Sequence, residues 1–69
     1  MRKLMRRWLI DIRGKQSQAQ IAKIIGISQQ MYSAIENDVR RPSPELAKTI
    51  AKEMQFEEHN ISWTQFYDN

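Results

Sequence analysis

The sequence predicts an all-α domain of five short helices. Apolar residues recur at three- and four-residue spacing, the period of a helix face. Serines stand just before the apolar runs and are twice followed three residues later by glutamine, the pattern of a helix start. No stretch shows the alternation of a strand. The 69 residues read as one domain, 1–69.

Each element follows in turn. Leu4, Trp8 and Ile12, with Met5 and Leu9 beside them, give one apolar stripe and predict helix one over residues 2–13. Gly14 then suits a left-handed C-terminal cap. Ser17 and Gln20 form a capping box for helix two, whose buried side is Ile21, Ala22, Ile24 and Ile25. Gly26 ends it. Ser28 caps helix three, which runs to about Asn37. The stretch "NDVRRPSP" is a loop. Ser43 caps helix four, with Pro44 in the first turn where a missing N–H costs nothing. Leu46, Ala47, Ile50, Ala51 and Met54 mark its buried face. Residues 55–61, "QFEEHNI", fit either an extension of helix four or a loop. Ser62 and Gln65 repeat the capping box and open an aromatic last helix, about residues 62–68.

Composition narrows the function. With no cysteine, neither a disulfide framework nor a thiolate zinc site is available. One histidine, His59, excludes an imidazole metal cluster within the chain, and a solvated surface position is its simplest role. No glycine-rich phosphate loop and no Ser-His-Asp arrangement occurs, so neither an enzyme nor a cofactor or metal site is expected. Basic residues and Trp8 at the N-terminus suit a membrane-surface helix weakly. Asp11, Arg13 and Lys15 break any secretory apolar segment, and no apolar run is long enough to span a bilayer. A cytoplasmic, nucleoid-associated location is expected. Charge is uneven: residues 1–52 hold all eleven Lys and Arg and carry +7, whereas 53–69 carry −4. Such asymmetry suits a cationic face for a polyanion, although a solubilising charge mix gives the same balance.

Helices two and three carry the most information. Gly26, Ile27 and Ser28 alone separate them. So short a join containing glycine is that of a helix-turn-helix, with its core at about residues 17–37. Ala22 is small where the helices approach, and Ile21, Ile25, Ile27, Tyr32 and Ile35 are apolar where the pair meets the core. The stretch "SQAQIAKIIGISQQMYSAIENDVRRPSPELAKTIAK" resembles the DNA-binding domain of the lambda-repressor-like group, which includes phage Cro proteins and repressors. The pattern Ser/Thr-Gln-x-x-Leu-Ala, Gly-x-Ser and Ile-Glu-Asn-Gly-x-Arg-x-Pro is met from Ser17 to Pro42, with Asp38 where the family often has glycine. Aspartate tolerates left-handed φ better than most residues. The join "RGKQS" is shorter than the common family form.

The resemblance implies a compact five-helix fold, a homodimer on palindromic double-stranded DNA, and a third helix in the major groove. The wheel agrees with that placement. Tyr32 and Ile35 point to the core. Gln30, Ser33, Ala34 and Asn37 lie opposite, and Gln29 is exposed in the first turn. That face lacks formal charge and large aliphatics. Glutamine pairs bidentate with adenine, worth about 1–3 kcal/mol per good pair. The candidate base contacts are therefore Gln29, Gln30, Met31, Ser33 and Ala34. Gln30 is favoured, Gln29 suits base or phosphate equally, and Met31 or Ala34 suits a thymine methyl.

Phosphate candidates are Gln18, by its family position, with Lys15, Lys23, Asn37, Arg40 and Arg41. Arg2, Lys3, Arg6 and Arg7 broaden the field or form a solvated face. The resemblance also implies a structural ion pair of Glu36 with Arg13. Trp63, Phe66 and Tyr67 read first as core closure, then as a dimer interface. The function expected is a prokaryotic or phage transcriptional repressor acting by operator occupancy, with no ligand-sensing module. The alternatives are an antitoxin-like module that binds a partner protein through residues 55–69 and autoregulates on DNA, and a purely structural bundle.

Overall fold

In a computed structural model, which describes residues 5–67, four α-helices precede two 3-10 helices. The α-helices are α1 (Arg7–Arg13), α2 (Gln18–Ile25), α3 (Gln29–Glu36) and α4 (Pro44–Glu53). The 3-10 helices span Phe56–His59 and Trp63–Tyr67. No strand occurs among the described residues.

The expected caps set the helix starts. Ser17 Oγ accepts from Gln20 N at 3.1 Å while Gln20 Oε1 accepts from Ser17 N at 2.9 Å, closing the capping box. Ser28 and Ser43 accept from Met31 N and Leu46 N, and Pro44 opens α4. Gly26 stops α2 with φ 95° and ψ 28°, and the Ala22 carbonyl accepts from both Gly26 N and Ile27 N. This left-handed turn is cheap only for glycine, and it lets α3 begin three residues after Gly26.

Leu9, Ile21, Ala22, Tyr32, Ile35, Ala47, Ile50, Met54, Phe56 and Phe66 form the core. Trp8 reaches across from α1 and meets Phe56 and Phe66 edge-on, with ring centroids 5.7 and 5.1 Å away. Both 3-10 helices thereby close the end of the bundle, as core closure by Phe66 requires.

Several expectations need correction. Helix one begins at Arg7, not residue 2; Met5 lies in a bend, and residues 2–4 fall outside the described residues. Arg6 precedes the helix because its backbone N–H donates to the Glu36 carbonyl at 2.6 Å, which fixes the chain against α3. Gly14 takes φ 62° but ψ −127°, a glycine conformation outside the left-handed helical region. Ile24 is 49% exposed because it sits ~100° around α2 from Ile25. Residues 55–61 neither extend α4 nor form an irregular loop. Gln55 and Asn60, both at positive φ, bracket a 3-10 turn that drives Phe56 into the core.

The fifth helix is also not α-helical. Ser62 Oγ accepts from Thr64 N and Thr64 Oγ1 rather than capping Gln65, so the second expected capping box does not form. Gln65 N instead donates to the Ser62 carbonyl at 3.0 Å. So short a segment gains little from α-helix propagation, and the tighter turn carries Phe66 to the aromatic cluster. Residue 68, the end of the expected helix, lies outside the described residues.

Gln55 stands just beyond the α4 cap with φ 57° and ψ 51°, where glycine is the favoured residue. Left-handed backbone costs a side-chain-bearing residue about 1–2 kcal/mol, partly offset by glycine's freedom in the unfolded chain. Gln55→Gly is expected to stabilise the domain by about 0.5–1 kcal/mol, read as a rise of roughly 4 °C in thermal midpoint. An unchanged or lower midpoint would contradict this account of the turn.

Candidate nucleic-acid interface

The outer surface of α3 is built by its inner one. Tyr32 and Ile35 are fully buried and seat the helix, with Met31 packed at the edge of the core. Gln29, Gln30 and Asn37 are exposed, and Ser33 and Ala34 are half-buried between them. Asn37 Nδ2 donates to Ser33 Oγ at 3.2 Å, so these two form one polar pair along the helix. The Ala34 carbonyl accepts from Val39 N and Arg40 N at 2.9 and 3.1 Å, folding the following loop back onto α3. Gln29 and Gln30 make no side-chain hydrogen bond within the described structure. Their amides are free for a partner.

The acid of α3 is kept off that surface. Glu36 is 2% exposed, and its carboxylate accepts from Arg13 Nε at 2.7 Å and Arg13 Nη2 at 3.2 Å. Gln18 Nε2 donates to the same carboxylate at 2.7 Å. Arg13 Nη1 also donates to the Gln16 carbonyl at 2.8 Å, drawing the α1–α2 join into the cluster. The Arg13–Glu36 pair expected from the sequence therefore forms, in bidentate geometry. Burial alone would raise the Glu36 pKa. The bonds from Arg13 and Gln18 outweigh it and hold the carboxyl below its ordinary value. Burial likewise pushes the Tyr32 phenol up.

This cluster places the phosphate candidates. Gln18 spends one amide hydrogen on Glu36 and keeps a second for a partner. Lys15 is exposed in the join that Arg13 draws in, and Asn37 and Arg40 are exposed at the end of α3. Arg41 is exposed too, with its guanidinium 5.7 Å from the Tyr67 ring centroid. Tyr67 Oη donates to the Pro42 carbonyl at 2.7 Å and buttresses the same loop. Lys23 is exposed on α2, outside this network.

Arg6 is the residue that the sequence pattern hid. In the sequence it is one of four cations in a basic N-terminal run, yet it is 4% exposed. Its Nη1 donates to the Ile35 and Arg40 carbonyls, the latter at 3.2 Å, and its Nη2 pairs with Asp38 Oδ1 at 3.2 Å. Its guanidinium lies 5.5 Å from the Phe66 ring centroid. A signal was available: Arg6 stands seven residues before Arg13, two helical turns, on the side of Leu9. Arg7, by contrast, is exposed beside Asp11. Arg2 and Lys3 lie outside the described residues.

Two capped helices joined through Gly26, with a seated inner face and a free polar outer one, define a helix-turn-helix. A family model described as helix-turn-helix matches residues 9–61. The chain belongs to this family, that of the Cro/C1-type helix-turn-helix. It is similar to the uncharacterized HTH-type transcriptional regulator YqaF of Bacillus subtilis (strain 168), at 32% identity over 68 residues, covering 96% of this chain and 83% of the relative. No solved structure gives a significant match. No helix among the described residues is long and apolar enough to cross a membrane.

The Glu36 cluster makes a test of stability. Removing one partner of a buried pair leaves an uncompensated charge and costs about 3–5 kcal/mol. Glu36→Ala is expected to lower the thermal midpoint far more than Glu58→Ala, which alters an exposed residue. The pH dependence has a definite sign. A carboxyl whose folded pKa is lowered stabilises above its unfolded value, about 4.5, and that stability is lost as pH falls towards the folded value. Acidification from neutrality should therefore destabilise the wild type more steeply than Glu36→Gln. Parallel pH profiles for the two would contradict the assignment.

Proposed function

We propose that the chain is a sequence-specific, double-stranded DNA-binding transcriptional regulator that represses by occupying an operator. The observation that supports it best is the outer face of α3. Its only acid is buried and neutralised. Two glutamines stand free on it, Arg40 and Arg41 are exposed in the loop folded back onto α3, and Lys15 is exposed in the α1–α2 join. A plain solvated helix has no need to remove its charges, whereas a surface approaching phosphates does.

In this reading α3 enters the major groove, with Gln30 reading a base and Gln29 reading a base or phosphate. Ser33, Ala34 and Met31 supply shape and apolar contact. Gln18 at the positive N-terminal end of α2, with Lys15, Lys23, Asn37, Arg40 and Arg41, holds the backbone. A homodimer would present two α3 helices one DNA turn apart, ~34 Å, to a palindromic site.

In vitro selection of DNA sites tests this reading. The wild type should enrich a palindromic consensus. Gln30→Ala should relax preference at one base pair per half-site, losing about 1–3 kcal/mol of discrimination there. Equal weakening on every sequence would make Gln30 a backbone contact. No binding to any duplex at low salt would remove the regulator reading altogether.

A further inference from the structure

Arg6 and Glu36 are the two buried charged side chains among the described residues. Glu36 is accounted for by Arg13 and Gln18. The polar contacts of Arg6 fall on another target. Its backbone N–H reaches the Glu36 carbonyl, and its side chain reaches the Ile35 and Arg40 carbonyls and the Asp38 carboxylate. All four acceptors lie within the last turn of α3 and the loop after it. The Phe66 ring backs the guanidinium.

That loop is unusual in two ways. Asp38 has φ 63°, a left-handed backbone that favours glycine. It is also the one acid in "NDVRRPSP", two residues before Arg40. A free carboxylate there would repel the phosphates that Arg40 and Arg41 are proposed to meet. Paired at 3.2 Å with a buried guanidinium, it becomes an anchor instead. The same guanidinium holds the Arg40 carbonyl, so the backbone between Asp38 and Arg40 is fixed at both ends.

We propose that Arg6 is a positioning residue for DNA binding. It acts through Asp38, fixing the Asp38–Arg41 loop and cancelling its one carboxylate, without touching DNA itself. The inference rests on the DNA-binding reading above. Its side chain is 5% exposed, which leaves no reach towards a phosphate.

Fluorescence anisotropy on the full chain tests it, with a labelled mixed-sequence duplex and the best selected duplex, over a salt series. Circular dichroism sets a temperature at which each variant is folded. Arg6→Gln should weaken binding to both duplexes roughly tenfold, the size of one uncompensated surface charge interaction. The slope of log affinity against log salt should fall by less than one full contact, because the freed Asp38 carboxylate is screened by salt, and that fall should disappear when Asp38 is removed. Arg6→Lys, which keeps a charge opposite Asp38, should recover most of the loss. In an Asp38→Gly background, where the carboxylate and the strained residue are both gone, Arg6→Gln should cost little. That double variant carries the test if Arg6→Gln alone fails to fold.

A slope reduced by about 0.9 that persists in the Asp38→Gly background would make Arg6 a phosphate contact and overturn the inference. So would unchanged affinity with a lower thermal midpoint, or an equal loss in the Asp38→Gly background. Those three outcomes leave the DNA-binding reading standing. A wild type that binds neither duplex at low salt would overturn both.

Discussion

The buried carboxylate of Glu36 is where three helices are fixed to one another. Arg13 comes from the end of α1, Gln18 from the start of α2, and Glu36 from the end of α3. Helix packing alone sets such angles loosely, because apolar side chains slide past one another with little penalty. A bidentate guanidinium–carboxylate bond does not slide, since its two hydrogen bonds need one geometry. The N-terminus of α2 and the C-terminus of α3 are thus held at a set separation. Both are ends that the helix-turn-helix would present together.

A domain of this size has reason to use polar ties. Its unfolded chain buries only about 60% of its surface on folding, so the apolar core is small. Among the described residues ten buried apolar ones form the core, and two of them, Phe56 and Phe66, are aromatics from the 3-10 helices. A buried ion pair is a weak source of net stability, because desolvation offsets most of the attraction. Its contribution here is orientation. The two buried charges act on the two ends of one short segment: Glu36 is bound from α1 and α2, and the loop beyond it is bound by Arg6. An eight-residue helix gains little stability of its own. It keeps its place because it is tied beneath and behind.

What was legible in the sequence was whatever local chemistry decides. Ser17, Ser28 and Ser43 cap because a hydroxyl beside a free N–H needs nothing else. Gly26 turns because only glycine adopts that backbone cheaply. The Arg13–Glu36 pair was available through the likeness of the surrounding motif. The illegible parts depend on distant partners. Arg6 looked like one solvated cation among four, and only the return of α3 and the α3–α4 loop gives it acceptors. Ser62 and Gln65 have the spacing of a cap, yet Thr64 takes the hydroxyl first and Phe66 has to meet Trp8 and Phe56. Ile24 is apolar, so its exposure follows from helical phase rather than residue type. The amides of Gln29 and Gln30 stand apart from both groups, since the fold makes no use of them.

That last point separates two kinds of polar residue on one helix. Glu36 and Ser33 are spent: one on Arg13 and Gln18, the other on Asn37. Gln29 and Gln30 are not. If all the polar groups of α3 served only to keep it soluble, the acid would be the natural one to leave outside, because a carboxylate is better hydrated than an amide. The arrangement is the reverse. The charged group is desolvated and bound, at a cost in hydration, and the uncharged amides are left exposed. A surface organised in this way suits a polyanionic partner recognised by hydrogen bonds, with cations kept to its edges.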